Sequence, residues 1–231
     1  MAPQDSGTVI SVRVGRVRTR PTPEWDHREA RSWQTAYQKD AVAGPVYAGS
    51  LGLTGDAVAA THVHGGVHMA VLMYAASHYP AWRGELALSE SGPGAFGAGA
   101  FGENLTVEHF DESNVCIGDE FTLGEARLQV SQPRGPCENI SRYWGIPGLL
   151  KRVTATLRTG WYMRVTGEGL LECGQTLTRV AHPHPEWNVR RVFAASLAPQ
   201  DDGGLVRELA RSEVLSPTWR ESFVAKAARL A

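Results

Sequence analysis

A chain of 231 residues with 42% hydrophobic composition can bury a substantial core, as one large domain or a main domain with an appendage. Its net charge of −1 and the lack of any basic block exclude the electrostatic footprint of a nucleic-acid binder. No run reaches the roughly 20 apolar residues of a membrane span, no signal-peptide pattern opens the chain, and Cys116, Cys137 and Cys173 form no CxxC pair. A cytoplasmic protein with reduced thiols is expected, with no membrane and no nucleic-acid partner.

Residues 8–17 (TVISVRVGRV) alternate as a strand does, while residues 18–34, polar and interrupted by prolines, read as an irregular loop. PVYAG (45–49) and HMAVLMYA (68–75) are the next strands, the second apolar enough to be central. In SHYPAWRGELALS (77–89) a break at Pro80 precedes a helix. The glycine-rich SGPGAFGAGAFGENLT (91–106) excludes a regular element, and its end, ENLTVEHF, reads as a short strand. Residues 120–132 form a hairpin turning at Gly124-Glu125, and residues 146–157 a helix with Leu149, Leu150, Val153 and Leu157 near 3.6 spacing. RTGWYMRV and LLECGQTLTRV are strands joined at Gly167-Glu168-Gly169. Many short strands with Gly/Pro turns point to a closed or nearly closed barrel.

The composition changes at AHPHPEW. Three amphipathic helices follow: NVRRVFAASL, with Val189, Val192, Phe193 and Leu197 on one face; GGLVRELARS; and SPTWRESFVAKAARL, where Ser216 can cap and Pro217 takes the first position. The expected architecture is mainly β with α: a barrel with inserted helices over residues 1–182, then a small three-helix C-terminal domain over 183–231. So small a helical unit must pack on the barrel or on a second subunit, and a homodimer is the expected assembly.

Four segments carry candidate chemistry. SQPRGPC (131–137) leaves a strand at a Gly-Pro break and presents Cys137 beside Arg134. Cys137 is either a small buried hydrophobe or a thiolate ligand, favoured by the nearby cation, and Arg134 offers a fixed fork for phosphate or carboxylate. THVHGGVHMAV (61–71) holds His62, His64 and His68, which read as a zinc set, as a polar loop, or as a tight turn in which Gly65 and Gly66 admit a ligand to the main chain. FGENLT (101–106) has neither the lysine of a phosphate loop nor a dinucleotide fingerprint. Around LKRVTATLRTGWYMRV (150–165), Lys151, Arg152 and Arg158 are cations near a strand start, and Trp161 can stack on a ring.

Together LGLTGD, HGG, FGENLT, CIGD, SQPRGPC and RTGWYMRV occur in the order and rough spacing of MOSC domains, the relatives of the molybdenum cofactor sulfurase C-terminal domain. The chain resembles the YiiM-type branch, in which a three-helix domain follows the barrel. That resemblance implies a MOSC-type β-barrel, a molybdenum cofactor (molybdopterin), and Cys137 as the metal's thiolate ligand. It implies Asn104 on the pterin, Arg134 and Arg158 at its phosphate end, and Lys39 (in Thr-x-x-x-Lys), Gly65, Gly66, Gln132 and Trp161 among the cofactor-binding residues. His64 would stand at the pocket rim as a proton donor. The implied activity is reduction of small N-hydroxylated compounds such as hydroxylamines, N-hydroxypurines and amidoximes, with electrons from an external reductase. The segment Ala60-Thr61-His62-Val63-His64-Gly65-Gly66 departs from the family's Asp-x-x-His-His-Gly-Gly. Two other readings stand beside the reductase: a non-catalytic cofactor or sulfur carrier, and a repurposed enzyme of specialised metabolism that uses the pocket without molybdenum.

Overall fold

The computed structural model describes residues 5–27, 31–61, 63–90 and 94–230. Strand β1 (Ser6–Gly15) follows the expected alternation up to a bulge between Val9 and Ser11, so Val9 and Val12 are both buried while Ile10 faces solvent. The segment expected to be an irregular loop instead pairs antiparallel as β2 (Arg18–Pro21) and β3 (Ser32–Thr35). Pro21 is tolerated because it ends its strand in a two-stranded sheet with a free edge. β4 (Lys39–Ala41) returns along the second half of β1, and β5 (Val46–Gly49) and β6 (Gly52–Leu53) pair with each other in a small separate sheet.

All 5 residues of β7 (Val71–Ala75) are buried, as its apolar run requires. Helix α1 (His78–Leu86) begins ahead of Pro80, which lies in its first turn rather than breaking the chain. The first N–H groups of a helix have no intrahelical acceptor, so proline costs nothing there. β8 (Leu105–Val107) lies parallel to β7, and a parallel neighbour demands a long crossover. Helix α1 and the glycine-rich segment are that crossover. They bring Asn104 against Leu72: Leu72 N–H donates to Asn104 Oδ1 at 3.0 Å and Asn104 N–H to the Leu72 carbonyl at 2.8 Å.

The hairpin β9 (Glu120–Leu123) and β10 (Ala126–Pro133) turns at Gly124, whose φ of +57° suits glycine. Helix α2 (Asn139–Trp144), absent from the periodicity reading, follows Cys137, and α3 (Leu149–Thr156) occupies the expected helical segment. β11 (Trp161–Gly167) pairs with β10 and β7. The expected continuous strand after it is divided: β12 (Gly169–Leu171) joins β5, and β13 (Thr176–Ala181) returns to the barrel after a turn. The ring runs β13-β9-β10-β11-β7-β8-β1, and β1 pairing with β13 closes seven strands.

The three C-terminal helices form as expected: α4 (Val189–Leu197), α5 (Gly203–Leu209) and α6 (Pro217–Arg229). Val189, Val192, Leu205, Leu209 and Phe223 join the same apolar cluster as Val9, Val130 and Leu177 of the barrel, so these faces are covered by their own chain. Leu197, counted on the apolar face, is 51% exposed. Ser216 holds the N-cap position, but its hydroxyl makes no capping bond; Asn188 and Asp202 cap α4 and α5 instead. A second cluster of Tyr37, Tyr74, Tyr79, Trp82, Phe96 and Phe101 packs with α1–α3 at one side of the barrel. Among the described residues no helix is long and apolar enough to cross a membrane.

Candidate functional site

A two-lobed cleft opens between the barrel and this aromatic cluster. The smaller lobe, about 120 Å³, is lined by Tyr37, His64, Phe101, Arg134, Cys137 and Tyr162. The larger, about 450 Å³, is lined by Asp56, Gly65, Gly66, Met69, Leu51 and Asn104. Lys39, His64, Leu72 and Tyr162 face both lobes.

β10 delivers the sulfur. After Pro133, Arg134 keeps one sheet bond, its N–H donating to the Gly160 carbonyl at 3.1 Å. The chain then leaves the sheet through Gly135-Pro136, and Cys137 sits half-buried at the lobe wall, just ahead of α2. Burial pushes its thiol up, but the His64 ring, the Arg134 guanidinium and the Asn139 backbone N–H together hold it below the ordinary cysteine value. Arg134 is 5% exposed, and its Nη1 is buried with no hydrogen-bond partner. Burial opposes its charge; Tyr37, Tyr162 and the Cys137 sulfur, together with a hydrogen bond to Tyr37, more than offset that and hold its pKa up. A buried guanidinium nitrogen with no acceptor is a donor that the surrounding protein leaves unpaired beside the lobe.

A second group of charges stands in the larger lobe. Lys39 Nζ donates to both Asp56 oxygens at 2.5 and 2.6 Å, and Asn104 Nδ2 donates to Asp56 Oδ2 at 2.7 Å. Burial pulls the Lys39 ammonium below the ordinary lysine value, and the Asp56 carboxylate beside it works against that fall. The His64 backbone N–H donates to the Ala60 carbonyl, and Gly65 and Gly66 take φ near +84° beside it.

Of the residues expected at the site, Cys137, His64, Lys39, Gly65, Gly66, Asn104 and Arg134 are brought together, and three are not. Arg158 turns to α1, where its guanidinium pairs with Glu85 Oε1 at 2.6 Å and lies 4.0 Å over the Trp82 ring. Trp161 is fully buried in the barrel core, and its neighbour Tyr162 supplies the ring in the cleft. Successive side chains on a strand face opposite ways, so the choice within the Trp-Tyr pair is settled by which residue the barrel takes inward. Gln132, opposite Tyr162 on β10, is buried in the sheet and does not line the cleft. Arg158→Gln is therefore expected to leave ligand retention within about twofold of wild type while lowering stability by about 1 kcal/mol, read by ligand titration and thermal melting.

Asp56, Tyr37 and Tyr162 were not assigned from sequence. Asp56 ends the LGLTGD motif, and that motif was its only signal. Lys151 and Arg152 lie on α3, away from the cleft. For the histidine set, His62 lies outside the described residues, and His68 turns toward Arg164, with burial and that cation lowering its pKa. Among the described residues, metal-type donors converge at Cys116, Asp119 and His182, outside the cleft. There Arg179 already bonds the Asp119 carboxylate at 3.1 Å, and burial pushes the Cys116 thiol up to about 12.

The family model described as MOSC domain matches residues 60–178. The chain belongs to the MOSC domain family. Bacillus subtilis YflK is 34% identical over 229 residues, covering 98% of this chain and 97% of its own. The crystal structure of YiiM from Geobacillus stearothermophilus superposes with a TM-score of 0.77 at 28% identity, over 96% of this MOSC chain and 99% of that one. A Gibberella moniliformis protein named reductase is 36% identical over 193 residues, which are 82% of this chain and 32% of that protein. The MOSC chain thus spans about a third of that fungal relative's length.

Proposed function

We propose that this MOSC protein reduces small N-hydroxylated compounds at a molybdenum cofactor held through Cys137. The carrying observation is the pairing of a soft donor with a cation only partly satisfied: the Cys137 sulfur at the lobe wall, and Arg134, hydrogen-bonded to Tyr37 but with its Nη1 buried and without an acceptor. A sulfur-rich, anionic metal cofactor would supply the acceptor that Arg134 Nη1 lacks and take the thiolate that Cys137 offers, so the residues present fit the group. The name of the fungal relative supports the coarser statement that the family includes reductases.

When bound, the cofactor supplies two-electron redox chemistry at the metal. The overall reaction takes R–NH–OH, two electrons and two protons to R–NH2 and water. Within this frame Cys137 fixes the metal's position and Arg134 balances charge beside it. His64, in reach of the sulfur and shared by both lobes, is the residue to hold or deliver a proton there. Tyr162 gives the flat wall on which a ring can rest. These residues carry no nicotinamide or flavin fingerprint, and this reading assigns the supply of electrons to an external reductase.

The test is expression in cofactor-competent cells, with molybdenum and pterin fluorescence measured per chain and turnover followed on a panel of N-hydroxy compounds with a chemical reductant. Near-equimolar molybdenum with turnover is expected. Cofactor without turnover on any compound would make the protein a carrier. Undiminished activity from a cofactor-deficient host would select a repurposed pocket that works without molybdenum.

A further inference from the structure

Asp56 is surrounded as a bound anion would be. Its carboxylate accepts from Lys39 Nζ through both oxygens, from Asn104 Nδ2 at 2.7 Å and from the Gly15 backbone N–H at 2.6 Å. The Lys39 and Asp56 side chains are only 8% and 10% exposed, so water does little to screen them. Asn104 is fully committed: its other amide proton goes to the Arg13 carbonyl at 3.2 Å, and its oxygen accepts from Leu72 N–H. An ammonium, a carboxamide and a backbone N–H converging on one point make a strong anion cage, and here the protein fills it with its own carboxylate. Arg134 stands in contrast. It has a hydrogen bond to the Tyr37 phenol, with the Tyr162 phenol and the Cys137 sulfur nearby and no carboxylate among these neighbours, and its Nη1 has no partner.

We propose that Asp56 is the positioning and charge-selecting residue of the cleft: it neutralises Lys39 and locks Asn104, so that the larger lobe receives an uncharged part of the ligand and the anionic part is directed to Arg134. This builds on the preceding reading only in taking both lobes to serve one ligand; the division of charge holds without molybdenum. It also assigns Asn104 a different task from the one expected of it. With both amide protons used internally, the side chain shapes the wall and holds Asp56 rather than donating to the ligand.

The experiment is calorimetric titration of the purified full chain with inorganic pyrophosphate at pH 6.5 and low salt, where a lysine ammonium persists and charge effects are least screened. Wild type is expected to show one weak site that Arg134→Met removes. Asp56→Asn frees Lys39 and is expected to bind pyrophosphate about tenfold tighter, a gain that disappears in the Lys39→Met/Asp56→Asn double variant. Circular dichroism verifies the fold of each protein. Should Asp56→Asn not fold, Lys39→Met alone decides the matter, because it leaves the Asp56 charge facing the lobe and is expected to weaken binding by about threefold to tenfold. Unchanged affinity in Asp56→Asn or in Lys39→Met, or a gain that survives loss of Lys39, overturns the assignment. Molybdenum measured on the same preparations separates the two claims: a lysine-dependent gain in protein that never carries the metal upholds the charge division and removes only the cofactor reading.

Discussion

Replacing Cys137 by serine is expected to strip molybdenum from the protein and lower turnover at least ~100-fold, while the fold stays intact. Substitutions that merely disturb the neighbours of a metal ligand cost roughly 10–100-fold, so loss of the ligand itself belongs at or above that range. Stability should move little, because the side chain is half-buried at a cleft wall and serine is nearly isosteric. A change within about 1 kcal/mol in thermal or denaturant unfolding fits such a site. Serine keeps the shape and loses the softness. Its hydroxyl is a hard, weakly acidic donor that neither His64 nor Arg134 can turn into a good partner for a sulfur-bound metal. Metal content per chain and turnover on N-hydroxy compounds, compared with wild type from the same host, give the answer. A serine variant that keeps both in full would remove Cys137 from the mechanism.

The second large effect falls on a residue outside the cleft. Glu103 is fully buried at the end of the glycine-rich segment, where its carboxylate gathers four donors. Gly99 N–H at 2.6 Å, the Thr106 hydroxyl at 2.8 Å and the Tyr79 hydroxyl meet Oε1; Phe101 N–H meets Oε2 at 3.1 Å. A segment so rich in glycine loses much entropy on ordering and has few side chains to hold it. One carboxylate does that holding. Glu103→Ala strands those donors in a dry interior and is expected to cost about 3–5 kcal/mol, a melting temperature lower by roughly 10 °C. Glu103→Gln, with one acceptor oxygen, should fall between the two. The same variant loosens Phe101 and Asn104, which line the cleft, so ligand affinity should drop with stability. Differential scanning calorimetry with Thr106→Val as a one-bond comparison is decisive. A loss under about 1 kcal/mol for the alanine variant would show that the loop holds itself.

The strands that close the barrel were legible wherever one face alone is buried or the run is uniformly apolar, as in β1, β7 and the β9–β10 hairpin. Helix α2 was not, since its six residues, NISRYW, are too few for a period and bury only Ile140 and Ser141. β2 and β3 were hidden because a pair exposed on most sides needs no apolar alternation. At the site, the motif SQPRGPC pointed to a sulfur and an arginine that both line the cleft, because a Gly-Pro exit from a strand is a local event. Arg158 looked equally suitable, and nothing local distinguishes a cation that finds Glu85 and Trp82 from one that keeps a buried nitrogen unpaired at the cleft.

By itself the sequence determined the alternation that makes a barrel, the three helices that cover it, and the break that presents Cys137. Only the tertiary structure decided that Tyr162 rather than Trp161 faces the cleft, that Asp56 answers Lys39, and that Arg134 Nη1 stays unpaired. The reason is one of range. Periodicity and turn chemistry act over a few neighbours along the chain. Which charge is neutralised depends instead on groups 17 to 48 positions apart, as in Lys39–Asp56 and Asn104–Asp56, which meet only after the barrel has closed.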